Sequence, residues 1–317
     1  MKYVVVFILL ILAVVFFFYP SNVHVDKVET PLPIEELVKV VAKDKPLTFS
    51  EEPRFKKWER IREVSDPALG VVLGDLESHI SKEHKYKDVN KITWAHQVTH
   101  GINAAIRNKV YTKEPFNCFY VLQDRSIFIK EPPLTIKEIA KEIPEKLRGP
   151  SFNLYFIEQN DKWNDRPLYL MDEWIAFTNG AEVGKELNFE GWYFELLQAH
   201  NFNLYCMYMA MILERDVSNY RDANFKKFLR WNIERVFMIS IPSDRDEIDR
   251  ARQTKTVSFS NKHFCPHCRM EGTGEKVDLK RSKDYIELIR SLPEAEKLRS
   301  FAKDYFGEDW CKRVYGF

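Results

Sequence analysis

Tyr3 to Tyr19 (YVVVFILLILAVVFFFY) is an unbroken apolar run with no charge and no polar face. A helix of that composition has no side to turn toward water, so it calls for lipid. Its 17 residues reach about 25 Å at 1.5 Å per residue, the short end of a membrane crossing. A secretory signal is the competing reading. The stretch is long for one, and Tyr19-Pro20-Ser21-Asn22-Val23 offers no clear small-x-small cleavage site. We expect a single-pass transmembrane anchor at residues 1–20. Lys2 and the amino terminus precede it, whereas Asp26, Lys27 and Glu29 follow. That slight positive bias favours a cytoplasmic N-terminus and a body on the non-cytoplasmic side.

Residues 21–60 carry Pro31, Pro33, Pro46 and Pro53 among many charges, which reads as a Pro-rich stalk or wrapping arm with room for a short helix at 34–42. Behind it, residues 61–241 form the main domain, and residues 242–317 hold a Cys-pair loop and C-terminal helices packed on the same body. Asp66-Pro67 opens a helix running through Ser81, and residues 89–108 form another, with Trp94, Val98, Ile102, Ala105 and Ile106 as its apolar stripe and Asn90 or Asp88 as its cap. The runs 118–122 and 126–130 flank Gln123-Asp124-Arg125 as a hairpin. Thr135 and Glu138 make a capping box. Residues 152–158 read as a third strand. Further helices are expected from Arg166-Pro167 to a stop near Asn179-Gly180, over 189–216 (aromatic- and Met-rich and largely buried), and over 222–239. From 282 to the end the chain is helical, broken at Pro293 and Gly307. The fold class is α+β, mostly helical, with a small β-sheet. With Lys+Arg 48 against Asp+Glu 47 and no long basic run, no field points at nucleic acid.

Within residues 89–108 stands Trp94-Ala95-His96-Gln97-Val98-Thr99-His100-Gly101. Histidines four apart lie on one helix face, a turn from each other, and can present two imidazoles to one metal ion. Zinc peptidases use His-Glu-x-x-His, whose Glu takes a proton from zinc-bound water. Here Gln97 occupies that second position. A zinc site needs a third protein ligand. Asp172-Glu173, inside the apolar Leu168–Phe177 stretch, is an acidic pair that should not be buried without a partner. Glu173 shares a face with Tyr169, Ala176 and Phe177.

His96-x-x-x-His100 followed by Glu173 on a later helix resembles a gluzincin, the zincin metallopeptidase class with two His and one Glu as ligands. The Glu173-x-x-Ala176 pattern is similar to the third-ligand helix of that class. The resemblance rests directly on about 20 motif residues. It implies a zincin-like domain with zinc as cofactor, His96, His100 and Glu173 as ligands, Asp172 supporting them from outside, and hydrolysis of a peptide bond. Gln97 departs from the pattern at the general base. An amide cannot accept and pass on a proton, and general base catalysis is worth about 10²–10⁴-fold. Asp172, Glu195 and His200 are substitute bases by residue type only. His200 also reads as an oxyanion stabiliser or alternative ligand, or as a satisfied core histidine. Tyr169 and Tyr205 are oxyanion candidates as well.

The chain has five cysteines, an odd, sparse set rather than a disulfide scaffold. Cys265-Pro266-His267-Cys268 admits a local disulfide or loop staple, a structural metal site with His263 or His267, or a thioredoxin-like redox motif. Cys118, Cys206 and Cys311 sit in apolar contexts as buried thiols. The whole reads as a membrane-anchored, degenerate or weakened zinc metallopeptidase. The alternative is a non-enzymatic, membrane-tethered structural or interaction protein of an envelope, cell surface or virion, with a protein or peptide as partner. A thiol oxidoreductase based on Cys265 and Cys268 is the third reading.

Overall fold

A computed structural model describes residues 49–110, 114–149, 151–189, 191–240 and 285–317, together with four two-residue strands between 257 and 277. The apolar run at 3–19, the short helix expected at 34–42 and Cys268 lie outside the described residues. No helix among the described residues is long and apolar enough to cross a membrane.

Trp192–Asp216 (α5 in the order below) is the axis of the body: every residue from Phe194 to Leu213 is buried. A helix buried on every side has to be surrounded, and the other elements build that surround. In chain order they are β1 (Lys56–Lys57), α1 (Gly70–His79), α2 (Lys91–Lys109), β2 (Phe116–Tyr120), β3 (Arg125–Lys130), α3 (Ile136–Glu142), α4 (Tyr169–Glu186), α5 itself, α6 (Ala223–Ser240), α7 (Tyr285–Ser291), α8 (Glu296–Phe306) and α9 (Glu308–Val314). α4 packs between α5 and α2, α1 lies against α2 and α4, and α6, α7 and α8 pack on α5. The β1-β3-β2 sheet is antiparallel and rests on α2 through β2 and on α6 through β3. The mostly helical α+β class is therefore observed, and the helices after residue 284 pack on the main body.

Local chemistry sets the ends of these elements. Asn90 Oδ1 accepts the Ile92 and Thr93 amides at the start of α2, and Thr135 and Glu138 form the capping box of α3. The hairpin turn holds Leu122, Gln123 and Asp124 all at positive φ, a costly backbone for residues with a Cβ. The Gln123 amide donates to Asp75 Oδ2 (3.1 Å) and the Asp124 amide to the Tyr120 hydroxyl (3.2 Å), which pin it.

Two expectations fail. Residues 152–158 form no strand: Asn153–Glu158 is a π-helix. A short run of aromatic and aliphatic residues has no period that separates strand from helix. The helix bearing Glu173 does not stop at Asn179-Gly180 but continues to Glu186. Gly180 and Gly184 are there for close approach. A Cβ on Gly184 would stand 2.4 Å from the Trp192 Cβ, so packing on α5 overrides the usual stop signal.

The arm expected at 21–60 lies on the body where it is described. Phe49 stacks on Trp231 of α6 with ring centroids 5.0 Å apart. The Ser50 hydroxyl donates to Glu234 Oε1 at 2.6 Å. Trp310 Nε1 of α9 donates to the same oxygen at 2.6 Å. Glu234 is fully buried.

Candidate metal centre

α2 presents His96, His100, Asn103 and Arg107, spaced by four, three and four residues and therefore in one stripe along its face. α4 lies against that face with Asp172 and Glu173 buried among Leu170, Met171, Trp174 and Ile175. Two carboxylates in such surroundings need compensating partners, and the α2 stripe supplies them.

His96 Nε2 and His100 Nε2 stand 3.1 Å apart. Glu173 faces both, with Oε2 3.5 Å from His96 Nε2 and Oε1 3.5 Å from His100 Nε2. Ligand atoms about 2.1 Å from a tetrahedral zinc ion lie about 3.4 Å from one another. The Nε2–Nε2 distance and the two Nε2–carboxylate distances, which end on different oxygens of Glu173, are of that order, and one ligand atom from each residue lies within 4.8 Å of the other two. These three residues form one of the two side-chain groups among the described residues with metal-binding geometry.

The outer nitrogens are occupied too. His100 Nδ1 lies 3.4 Å from Asp172 Oδ1. Asp172 is held by Asn103 Nδ2 and, at 3.3 Å, by Arg107 Nη1. His96 Nδ1 lies 3.6 Å from Glu195 Oε2 of α5. A carboxylate behind each imidazole can hold the proton on Nδ1; Glu173 stands equally close to both Nε2 atoms, and a cation bound there would take Glu173 and the Nε2 lone pairs and leave the protons on Nδ1. The Tyr155 hydroxyl donates to Glu173 Oε2 at 2.9 Å, and Phe177 packs edge-on against His96 with centroids 4.5 Å apart. The pocket is nearly closed: His96 is the most accessible of the three, its side chain 13% exposed, against 5% for His100 and 2% for Glu173.

Burial pulls both imidazoles toward the neutral form, and the carboxylates around them outweigh it. Glu173 and Asp172 push His100 up to about 10, and Glu173 and Glu195 raise His96. Burial likewise opposes ionisation of Glu173, yet His100 and His96 hold it well below the usual carboxylate range. Asp172 is also lowered against its own burial, by His100 and Arg107. Three carboxylates face one guanidinium, so two positive charges balance the pocket. Two imidazolium protons or one divalent ion with neutral imidazoles each supply them.

The remaining sequence candidates fall elsewhere. Gln97 is buried on α2. As substitute bases, Asp172 and Glu195 stand behind the imidazoles at Nδ1, on the side away from the Nε2 pair. His200 is five residues beyond Glu195, about 140° around α5. Its Nε2 is 2.8 Å from Ser240 Oγ and its ring meets Phe237 of α6, so it is the core histidine and not a ligand of this cluster. Burial pushes it down to about 3. Tyr205 accepts the Gly149 amide. Tyr169 lies beside Glu173, but its hydroxyl donates to Gln159 at 3.1 Å. Cys118, Cys206 and Cys311 are buried free thiols. Cys265 lies in a two-residue strand, Phe264–Cys265, and its pairing with Cys268 falls outside the described residues.

Sequence reasoning missed Tyr155, because its segment read as a strand. It also missed Asn103 and Arg107, although the spacing 96, 100, 103, 107 was there to be read as a polar stripe on an otherwise apolar helix. No family model, curated protein or solved structure matches the chain.

Proposed function

We propose that the chain is a membrane-anchored, zincin-like protein that holds zinc on His96, His100 and Glu173 and whose peptidase chemistry is weakened or lost. The observation that carries this reading is the triangle of two Nε2 atoms and one carboxylate, with a separate carboxylate behind each ring. Zinc held there acts as a Lewis acid toward a peptide carbonyl. Around it, Glu173 supplies the anionic ligand, Asp172 and Glu195 orient the rings, and Phe177 and Tyr155 exclude water. The missing part is a group that takes a proton. Gln97 cannot do so, and Asp172 and Glu195 are on the far side of the rings.

Metal analysis of the purified full-length protein beside His96→Ala tests the metal. One zinc per chain, lost in the variant, is expected; a metal-free wild type removes the reading. Gln97→Glu tests the chemistry. Restoring the base should raise peptidase activity by about 10²–10⁴-fold. A folded, zinc-loaded but silent variant points instead to the second reading, a non-enzymatic tethered protein that binds a protein or peptide. That reading is favoured by Gln97 and by the near-closure of the pocket.

A further inference from the structure

We propose that Glu195 is the positioning residue for His96 and that Gly180 exists to admit it, so that the candidate centre is built by three helices and not by the α2–α4 pair alone. The proposal rests on the metal-site reading above and extends it to α5.

Glu195 is 8% exposed, and its Oε2 is buried without a hydrogen-bond partner among the described residues. A carboxylate oxygen in that position is costly unless a donor faces it. The group facing it is His96 Nδ1 at 3.6 Å. The arrangement repeats at His100, where Asp172 stands 3.4 Å from Nδ1. Asp172 comes from α4, beside the ligand Glu173, whereas Glu195 comes from a helix that carries no ligand. An imidazole offers Nε2 to a metal only when the proton sits on Nδ1, and an acceptor at Nδ1 sets both tautomer and ring angle.

Gly180 gives the second, independent observation. It sits in the middle of α4, where glycine costs about 1 kcal/mol relative to alanine. A Cβ there would stand 3.0 Å from Glu195 Oε2 and 3.5 Å from the Ile92 backbone oxygen and side chain. Its first neighbour is the carboxylate itself. An alanine there would make the carboxylate give by a few tenths of an ångström, and a longer side chain by more.

The test uses the full-length protein with zinc affinity read by chelator competition, the visible spectrum of the cobalt-substituted form, and the His96 ring-nitrogen chemical shifts of metal-free protein at a pH where that ring is neutral. Glu195→Ala should lower zinc affinity by about 10–100-fold, alter the cobalt spectrum and, in metal-free protein, move the His96 proton toward Nε2, where Glu173 stands at 3.5 Å. Glu195→Gln keeps an acceptor oxygen and should restore most of the affinity. Gly180→Ala should fall between the wild type and Glu195→Ala. A folded Glu195→Ala with wild-type affinity and cobalt spectrum overturns the proposal. If the wild type takes up no metal, the metal-site reading fails separately, and the nitrogen shifts still decide: a His96 tautomer unchanged by Glu195→Ala overturns the role of Glu195.

Discussion

Among the described residues two histidine–carboxylate clusters have metal-binding geometry, and they differ in what their nitrogens face. One is His96, His100 and Glu173; the other is Asp75, His79 and Asp124, between α1 and the hairpin turn. In the second, His79 Nδ1 meets the Asp75 backbone oxygen at 2.6 Å and Nε2 meets Asp124 Oδ1 at 2.9 Å. Tyr120 donates to Asp75 Oδ2, the Gln123 amide donates to the same oxygen, and Arg60 lies 3.2 Å from Asp124. Every group has a protein partner, and the cluster ties a positive-φ turn to α1. In the first, the outer nitrogens are held by carboxylates while the inner ones point at each other and at Glu173. Proximity alone does not separate a metal site from a hydrogen-bonded knot. What separates them is whether lone pairs are left converging after the protein's own donors are used.

That contrast is open to direct attack. The largest effect is expected from His100→Ala, which should reduce zinc affinity by more than about 100-fold, since loss of a ligand exceeds loss of an outer partner. His79→Ala should leave zinc content unchanged and destabilise the fold by about 1–3 kcal/mol, the cost of leaving buried hydrogen-bonding groups without their partner. Metal analysis with urea unfolding of both variants checks this, and loss of zinc from His79→Ala would erase the distinction. Next, Asp172→Asn should weaken zinc binding by about 10–100-fold in chelator competition, because it slackens His100 without removing a ligand.

The pH dependence of metal-free stability sharpens the contrast further. His100 is raised to about 10 from an ordinary 6.5, so its contribution is full below 6.5 and is lost as pH rises toward 10. Glu173 is depressed from an ordinary 4.5, so its contribution is present above 4.5 and is lost as pH falls. The cluster should therefore stabilise the metal-free protein most between 4.5 and 6.5, with the alkaline slope reduced in His100→Ala to the part that His96, also raised, supplies; thermal melts in chelator across pH measure it. The smallest effect is Tyr155→Phe, which removes one hydrogen bond to Glu173 and should cost about 1–2 kcal/mol in urea unfolding while zinc stoichiometry stays at the wild-type value.

The parts legible in the sequence are those written in one element at a time. Helical spacing alone brings His96 and His100 to one face, and the isolated acidic pair in an apolar helix marks Glu173 as the residue needing a partner. Asn90 and Thr135 announce their helix starts through side-chain oxygens that act within three residues. Asn103 and Arg107 were legible in the same spacing and went unread, whereas the role of Glu195, named only as a base by residue type, and the place of Tyr155 depend on contacts between distant segments. Glu195 meets His96 only because α5 crosses α4 at Gly180, and a mid-helix glycine next to asparagine reads locally as a stop. Tyr155 reaches Glu173 from a π-helix, whose extra residue per turn re-aims a side chain in a way that an apolar run does not encode.

The shared carboxylate of Glu234 has a mechanical consequence. Ser50 at the entrance of the body and Trp310 near its exit grip the same oxygen, and Phe49 is seated on the neighbouring turn of α6. Tension arriving along the arm is taken up at α6 and then at the sheet edge, where Lys56–Lys57 pairs with β3. α6 is bonded to α4 in turn, Arg235 donating to Glu182 Oε1 and Asn179 Oδ1, so a pull on residues 49–50 meets the Glu234 clasp first and reaches α4 through α6.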